Sequence, residues 1–385
     1  MAASKDPTRR RAPQLRLTWD RALAWRLRRH HLTAPAGGPV ELVGALAGVQ
    51  AQVPSMTAHA VGIRTPTDSD TVEQLLWGDR LLVKTWAMRG TLHLLPARDF
   101  ATWVGALRTR EWRITPAWEQ YHGVTRAELD AITAAIPQAL SAEPLTRERL
   151  AERISDATGH RHLDAALRSG WAAVLKPAAN RGLLCQGPPA DGSTTFVEPA
   201  GWLGSLSPEP DTETALRRVL DWFLDAHGPA THDDFARWFG STPAAARKVL
   251  TRHADDLALV DVDGLRAWMT PQGAEEAAGA VPASSVHLLP GFDPYVLAPI
   301  SHRDHTIPPG RVADVSRTAG WIAPVVVVDG RIAGTWTHAR DGDATIVTIT
   351  AFAPLPRRVL DGAREHLERS HASVLKGPLT IVVDG

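Results

Sequence analysis

The chain has 385 residues, 44% of them apolar, with 42 basic and 42 acidic side chains and no formal net charge. That length supports two or three domains with cores of their own, and the charge balance excludes a protein that coats nucleic acid indiscriminately. The single cysteine, Cys185, rules out an internal disulfide and a cysteine-built metal site, and no apolar run reaches membrane-spanning length, so a reducing, cytoplasmic setting is expected.

Residues 1–16, basic at Arg9-Arg10-Arg11, read as a mobile tail without the apolar core of a signal peptide. Thr18 or Asp20 then caps a helix running to about His31, and a second helix is expected over residues 40–49, ending in Gln50-Ala51-Gln52-Val53-Pro54. Short helices follow over 55–61 and 69–77, the latter with Asp70 as cap. Residues 81–87 and 91–95 alternate as a hairpin around Met88-Arg89-Gly90. Helices followed by a two-stranded hairpin spell a winged helix, here 17–122.

The pattern recurs over 123–205. Helices are expected at 125–136, 146–154 and 163–175, the first two opened by Thr125 and Thr146, with strands at 182–186 and 194–198. A third copy with its linker spans 206–285: a helix over 212–226 stopped by His227-Gly228-Pro229, one capped by Thr231, one capped by Ser241 or Thr242, and a wing turning at Asp263-Gly264. Beyond it, 286–385 changes to strand periodicity, with strands at 286–289, 322–328, 331–336, 344–350 and 379–383, a turn at Asp329-Gly330 and a helix over 357–371. The expected fold class is α+β, mainly α, with three tandem winged-helix motifs followed by a small C-terminal β-rich domain.

Three winged helices point to duplex nucleic acid, although the same module also serves protein interaction. Basic clusters favour DNA: Arg108, Arg110 and Arg113 lie among Trp103, Trp112 and Trp118, and Arg161, Arg168, Lys176 and Arg181 surround the third helix of the second copy. Each cluster also reads as a solvated face. Nucleotide-binding glycine loops, HExxH, GxSxG elbows and paired-carboxylate motifs are absent, and His338 and the His302, His305 pair are too sparse for a metal site. No metal or cofactor is expected. The catalytic candidates reduce to Gln50 and Gln52, which share a face only if their segment is extended. A carboxamide donates and accepts hydrogen bonds but has no useful pKa, so the pair can orient water or stabilise a developing cation and cannot act as a general base. The bland alternative is a helix end with two solvated glutamines.

Val49-Gln50-Ala51-Gln52-Val53-Pro54, Trp86-Ala87-Met88-Arg89-Gly90-Thr91-Leu92-His93-Leu94, Leu289-Pro290-Gly291-Phe292-Asp293-Pro294-Tyr295 and Gly320-Trp321-Ile322-Ala323-Pro324-Val325 together make the chain resemble the winged-helix alkylpurine DNA glycosylases, the AlkZ-like family related to YcaQ, from about residue 17 to the end. The family motif is Gln, apolar residue, Gln in one branch and Gln, apolar residue, Asp in the other; Gln52 resembles the first. The resemblance implies a monofunctional glycosylase, with Gln50 and Gln52 as its catalytic residues, that excises cationic N7- or N3-alkylated purines, bulky or crosslinking adducts included, from double-stranded DNA in base excision repair. No lysine beside the motif suggests a Schiff-base step. Arg89, Thr91 and His93 in the first wing, and Arg303, are the DNA-binding candidates, with a turn and a packed strand as the plainer reading of the first three. Asp293 is expected to order a turn or hold an arginine. A monomer is expected. The alternative is a non-catalytic winged-helix DNA-binding protein such as a transcription regulator.

Overall fold

The computed structural model describes residues 11–384 apart from 111, 113, 142, 170, 171, 205, 298, 372–374 and 376, so the expectations placed on Arg9, Arg10 and Arg113 lie outside the described residues. Helices and several small sheets mix in an α+β fold, divided into two compact units: one takes in the chain up to Val72 together with Leu220 onward, the other is Glu73–Val219.

In the first unit, Leu15–Leu17 pairs parallel with Ala258–Val262, which forms an antiparallel hairpin with Leu265–Met269. The turn is Asp263-Gly264, both in the left-handed region, as the sequence indicates. Residues 11–17 therefore lie along a sheet edge instead of continuing a tail, because Leu15 and Leu17 alternate with polar residues and pack with Trp19, Trp25, Val260 and Met269. The helix Trp19–Arg29 is capped by Thr18. On its other side Leu27 joins Leu289, Tyr295, Val325 and Val327 in a second core, so this helix links two hydrophobic clusters.

The helices Thr212–His227, His232–Phe239 and Pro243–Arg252 follow the expected order, with caps at Thr231 and Thr242. Thr231 and Asp234 form a reciprocal capping box. The C-terminal sheet runs Val286–Leu289, Val325–Val328, Arg331–Asp341, Ala344–Ala351, Leu379–Asp384; its last pairing is parallel and the others antiparallel. Its valine run is buried on both faces. Val325 and Val327 face the Leu27 cluster, while Val326 packs with Trp336, Ala363 and Leu367 under the helix Arg357–His371. The strand expected to begin at 322 starts at Val325, since Ile322 only bridges to Ser316.

In the second unit Leu82–Trp86 and Leu92–Pro96 pair antiparallel, Trp86 opposite Leu92, around the Met88-Arg89-Gly90 turn. Where the first unit's N-terminal stretch ends, the helix expected over 69–77 is α-helical only at Ser69–Glu73, ahead of a wider turn at Gln74–Gly78, and the cap is Asp68, which accepts from the Thr71 amide and hydroxyl, rather than Asp70. Arg126–Ala139 and Arg147–Thr158 are capped by Thr125 and Thr146. Of the helix expected over 163–175 only Asp164–Arg168 forms, because Ser169 (φ −55°, ψ 130°) leaves the helical region; Lys176–Asn180 is a separate short helix beyond that range. Cys185–Ala190 and Ser193–Val197 form the hairpin that follows.

Candidate functional site

The glutamine segment is reached by an early helix stop. The helix Pro39–Ala45 ends before residue 49 because Ala47 (φ 53°) and Gly48 (φ 96°) turn left-handed, with the Gly48 amide donating to the Val43 carbonyl at 2.9 Å. Gln50 therefore sits in a short extended stretch, Val49–Gln50, and Gln52 in the bend that follows. Pro54 opens the next helix, Pro54–Gly62, at the position where its missing N–H costs nothing; it does not close the preceding one.

Extended geometry is the condition under which both carboxamides can serve one point, yet their surroundings differ. Gln50 is 8% exposed and Gln52 is exposed. The backbone between them is fixed from the helix. The Thr57 hydroxyl lies 3.1 Å from the Gln50 carbonyl and 3.0 Å from that of Val53, and the Thr57 amide donates to Val53 at 3.0 Å. One threonine thus ties the strand residue to the helix start.

The far end of the same helix is fixed too. Arg64 and Asp293, both fully buried, share two 2.8 Å hydrogen bonds, and Arg64 also donates to the carbonyls of His30 and Ala60. Asp293 accepts from the Tyr295 amide as well, so it orders a turn and holds an arginine together. Gly291 allows close approach: a Cβ there would meet the Met56 sulfur and the Ile322 carbonyl, each at 2.8 Å. Beside it Phe292, at φ 59°, meets the half-exposed Trp321 edge to face at 5.0 Å. His59, on the buried side of the helix, packs against Trp336; burial foremost, then His366, His338 and Arg64, lowers its pKa to about 3, so it is neutral.

Arg303 is half-buried in the helix Arg303–Thr306, its pKa lowered by burial and by Arg237. In the other unit, Arg89, Thr91 and His93 are brought together at the hairpin turn. Arg89 takes φ 56°, the Thr91 hydroxyl donates to the Met88 carbonyl at 3.1 Å, and His93 is 2% exposed. Burial, then Arg89 and Arg110, lower the His93 pKa to about 3. Its Nδ1 faces the Thr91 carbonyl at 2.9 Å, which can only accept, so Nδ1 carries the proton and Nε2 accepts from Arg89 at 3.5 Å. His93 therefore orients Arg89. Among the described residues the one group of ligand atoms close enough to hold a metal is Glu128, His160 and His162, remote in sequence from these candidates.

Sequence reasoning missed Thr57, Arg64 and Met56. A threonine four residues after Val53 was the available signal for the first; the partners of the other two lie more than two hundred positions away.

A family described as DNA glycosylase AlkZ-like matches residues 43–376. The chain is 36% identical over 379 residues to an interstrand DNA cross-link repair glycosylase of Streptomyces sahachiroi, covering 96% of this chain and 100% of that protein. Among solved structures it is similar to Streptomyces sahachiroi DNA glycosylase AlkZ, with a TM-score of 0.86 and 34% identity over 96% of this chain and 100% of that one.

Proposed function

Because this chain belongs to the AlkZ-like family of DNA glycosylases, we propose that it is a monofunctional enzyme that excises N7- or N3-alkylated, cationic purines from duplex DNA, with Gln50 and Gln52 as its catalytic residues. The observation that carries this reading is the chemistry of the motif: Val49 to Pro54 holds two carboxamides and no ionisable side chain. Excising an unmodified purine requires protonation of the leaving base, which carboxamides cannot supply. An N7- or N3-alkylated purine is already cationic and departs as a neutral base with the glycosidic electron pair. What remains is to position water and to stabilise the oxocarbenium-like sugar, and fixed amide dipoles suit both tasks. The Thr57 tether supports the reading, since it holds the segment before any substrate arrives.

The relative's description as a cross-link repair enzyme extends the proposed range to bulky and crosslinking adducts. We read the helical segments and hairpins of 17–122, 123–205 and 206–285 as tandem winged helices that carry the duplex, ahead of the β-rich 286–385, with Arg89, Thr91, His93 and Arg303 on the DNA side. The cap residues and hairpin turns support that reading. The deciding experiment incubates the protein with duplex containing 7-methylguanine and then with alkali. Strand cleavage at the lesion is expected; its absence with this and bulkier N7 adducts would remove the proposal.

A further inference from the structure

Basic residues that lie far apart in the sequence converge inside the unit Glu73–Val219. Arg108, Arg110, Arg126 and Arg181 line one cleft of about 690 Å³, with Trp112 and Asn180 in its wall. Among the described residues no carboxylate lines it. Among the described residues three carboxylates stand outside: Glu209, 3.1 Å from Arg108, Asp130, 3.5 Å from Arg126, and Glu119, which accepts from the Arg126 amide at 2.8 Å. The charged groups that line the cleft are all guanidinium groups, so its wall is positive among the described residues.

The cleft is built from fixed parts. Arg108 donates to the Arg181 carbonyl at 3.2 Å across 73 positions of sequence, and Arg110 donates to the Ala87 carbonyl at 2.7 Å. Asn180, 2% exposed, lies 3.2 Å from both the Trp86 carbonyl and the Trp112 indole nitrogen, and the amide orientation that satisfies both has its nitrogen donating to Trp86 and its oxygen accepting from Trp112. Burial lowers the Arg110 pKa to about 10. Behind burial, the Arg110 charge lowers the pKa of Lys176, and Arg89 and Arg110 lower that of His93. A fold that crowds cations in this way is stabilised by an anion among them.

We propose that this cleft is a seat for a backbone phosphate of the DNA duplex, separate from the glutamine motif and serving to register the strand. The proposal rests on the DNA glycosylase reading and names a partner contact that the motif does not supply. Guanidinium forks match phosphate oxygens in a bidentate way. A base stacked on Trp112 is the competing occupant; it would add affinity with little change in salt dependence.

The test titrates the full chain with an undamaged, fluorescently labelled duplex across a series of potassium chloride concentrations. Arg126 and Arg181 are exposed, so Arg126→Gln with Arg181→Gln leaves the fold intact. This pair is expected to weaken binding about tenfold and to lower the slope of log K against log salt by about 1 to 2. Arg110→Lys should keep the slope and Arg110→Gln lower it by about 1, with thermal melting to confirm folding. An exposed pair elsewhere, Arg357→Gln with Arg364→Gln, should leave it unchanged. A parental slope in the Arg126, Arg181 variant, or an equal drop in the Arg357, Arg364 variant, would overturn the seat. Excision of 7-methylguanine by the unaltered chain reads the glycosylase proposal independently, so the two can fail separately.

Discussion

The guanidinium of Arg64 and the carboxylate of Asp293 meet through two 2.8 Å hydrogen bonds with both side chains fully buried. The pair joins the residue just past the helix Pro54–Gly62 to the Phe-Asp-Pro-Tyr segment, 229 positions later. Removing one partner leaves the other charged, desolvated and uncompensated. Arg64→Leu or Asp293→Leu is therefore expected to cost about 3–5 kcal/mol, and the double substitution less than the sum of the two. Denaturant unfolding of the four proteins measures this; a cost below ~1 kcal/mol for either single variant would contradict a buried pair.

Gln52→Ala and Gln50→Ala are expected to lower excision of 7-methylguanine about a hundredfold with affinity for undamaged duplex little changed, since an interaction made in the transition state contributes little to ground-state binding. Single-turnover kinetics beside a binding titration separate the two quantities. Parallel loss of binding and rate would make these glutamines docking residues.

Thr57→Val keeps the shape of the side chain and removes its hydroxyl. The buried Gln50 carbonyl then loses a donor, at a cost of about 1–3 kcal/mol. We expect kcat to fall about tenfold with KM nearly unchanged, because the effect acts through the position of the glutamines, and Thr57→Ser to restore most of it. Full activity in the valine variant would show that the tether does not matter to catalysis.

Buried imidazoles set the acid limit of stability. Burial, the largest cause in each case, lowers His59 and His287 to about 3 and His366 to about 4. The unfolded chain protonates histidine near ~6.5. Below that pH the unfolded state takes up protons that the folded state refuses, so stability is complete above about 6.5 and falls on acidification toward the folded values. Glu128, held at about 2 chiefly by the Thr125 amide, stays ionised in both states above about pH 5.5 and does not contribute there. Urea unfolding at about pH 7.5, 6.5 and 5.5 should show the decline, with His366→Gln reducing it by up to ~1.4 kcal/mol per pH unit. A dependence identical in that variant would exclude His366 as a contributor.

Much of this architecture is legible where one residue type answers one backbone demand. Thr125, Thr146, Thr231 and Thr242 cap the helices assigned to them, and Asp263-Gly264 and Asp329-Gly330 turn the expected hairpins, because local hydrogen bonding and φ preference act within a few residues. The misses have tertiary causes. Ala47 takes positive φ and Ser169 turns extended at ψ 130°, departures that neither residue type advertises, so the helices expected over 40–49 and 163–175 stop early. The Gln-Ala-Gln spacing identified the candidate residues, but not that Gln50 is buried and Gln52 exposed. That depends on where Thr57 holds the chain, and the Arg64–Asp293 pair depends on contacts no local pattern encodes.

The left-handed exit at Ala47 and Gly48 makes the glutamine segment a short span anchored at each end: Gly48 is tied back to Val43, and Gln50 and Val53 are tied forward to Thr57. Few backbone torsions remain unconstrained between the anchors. Ordering of this span was settled when the protein folded, so meeting a lesion need not freeze a wandering loop, and the entropy loss that weakens mobile recognition segments is small at this position.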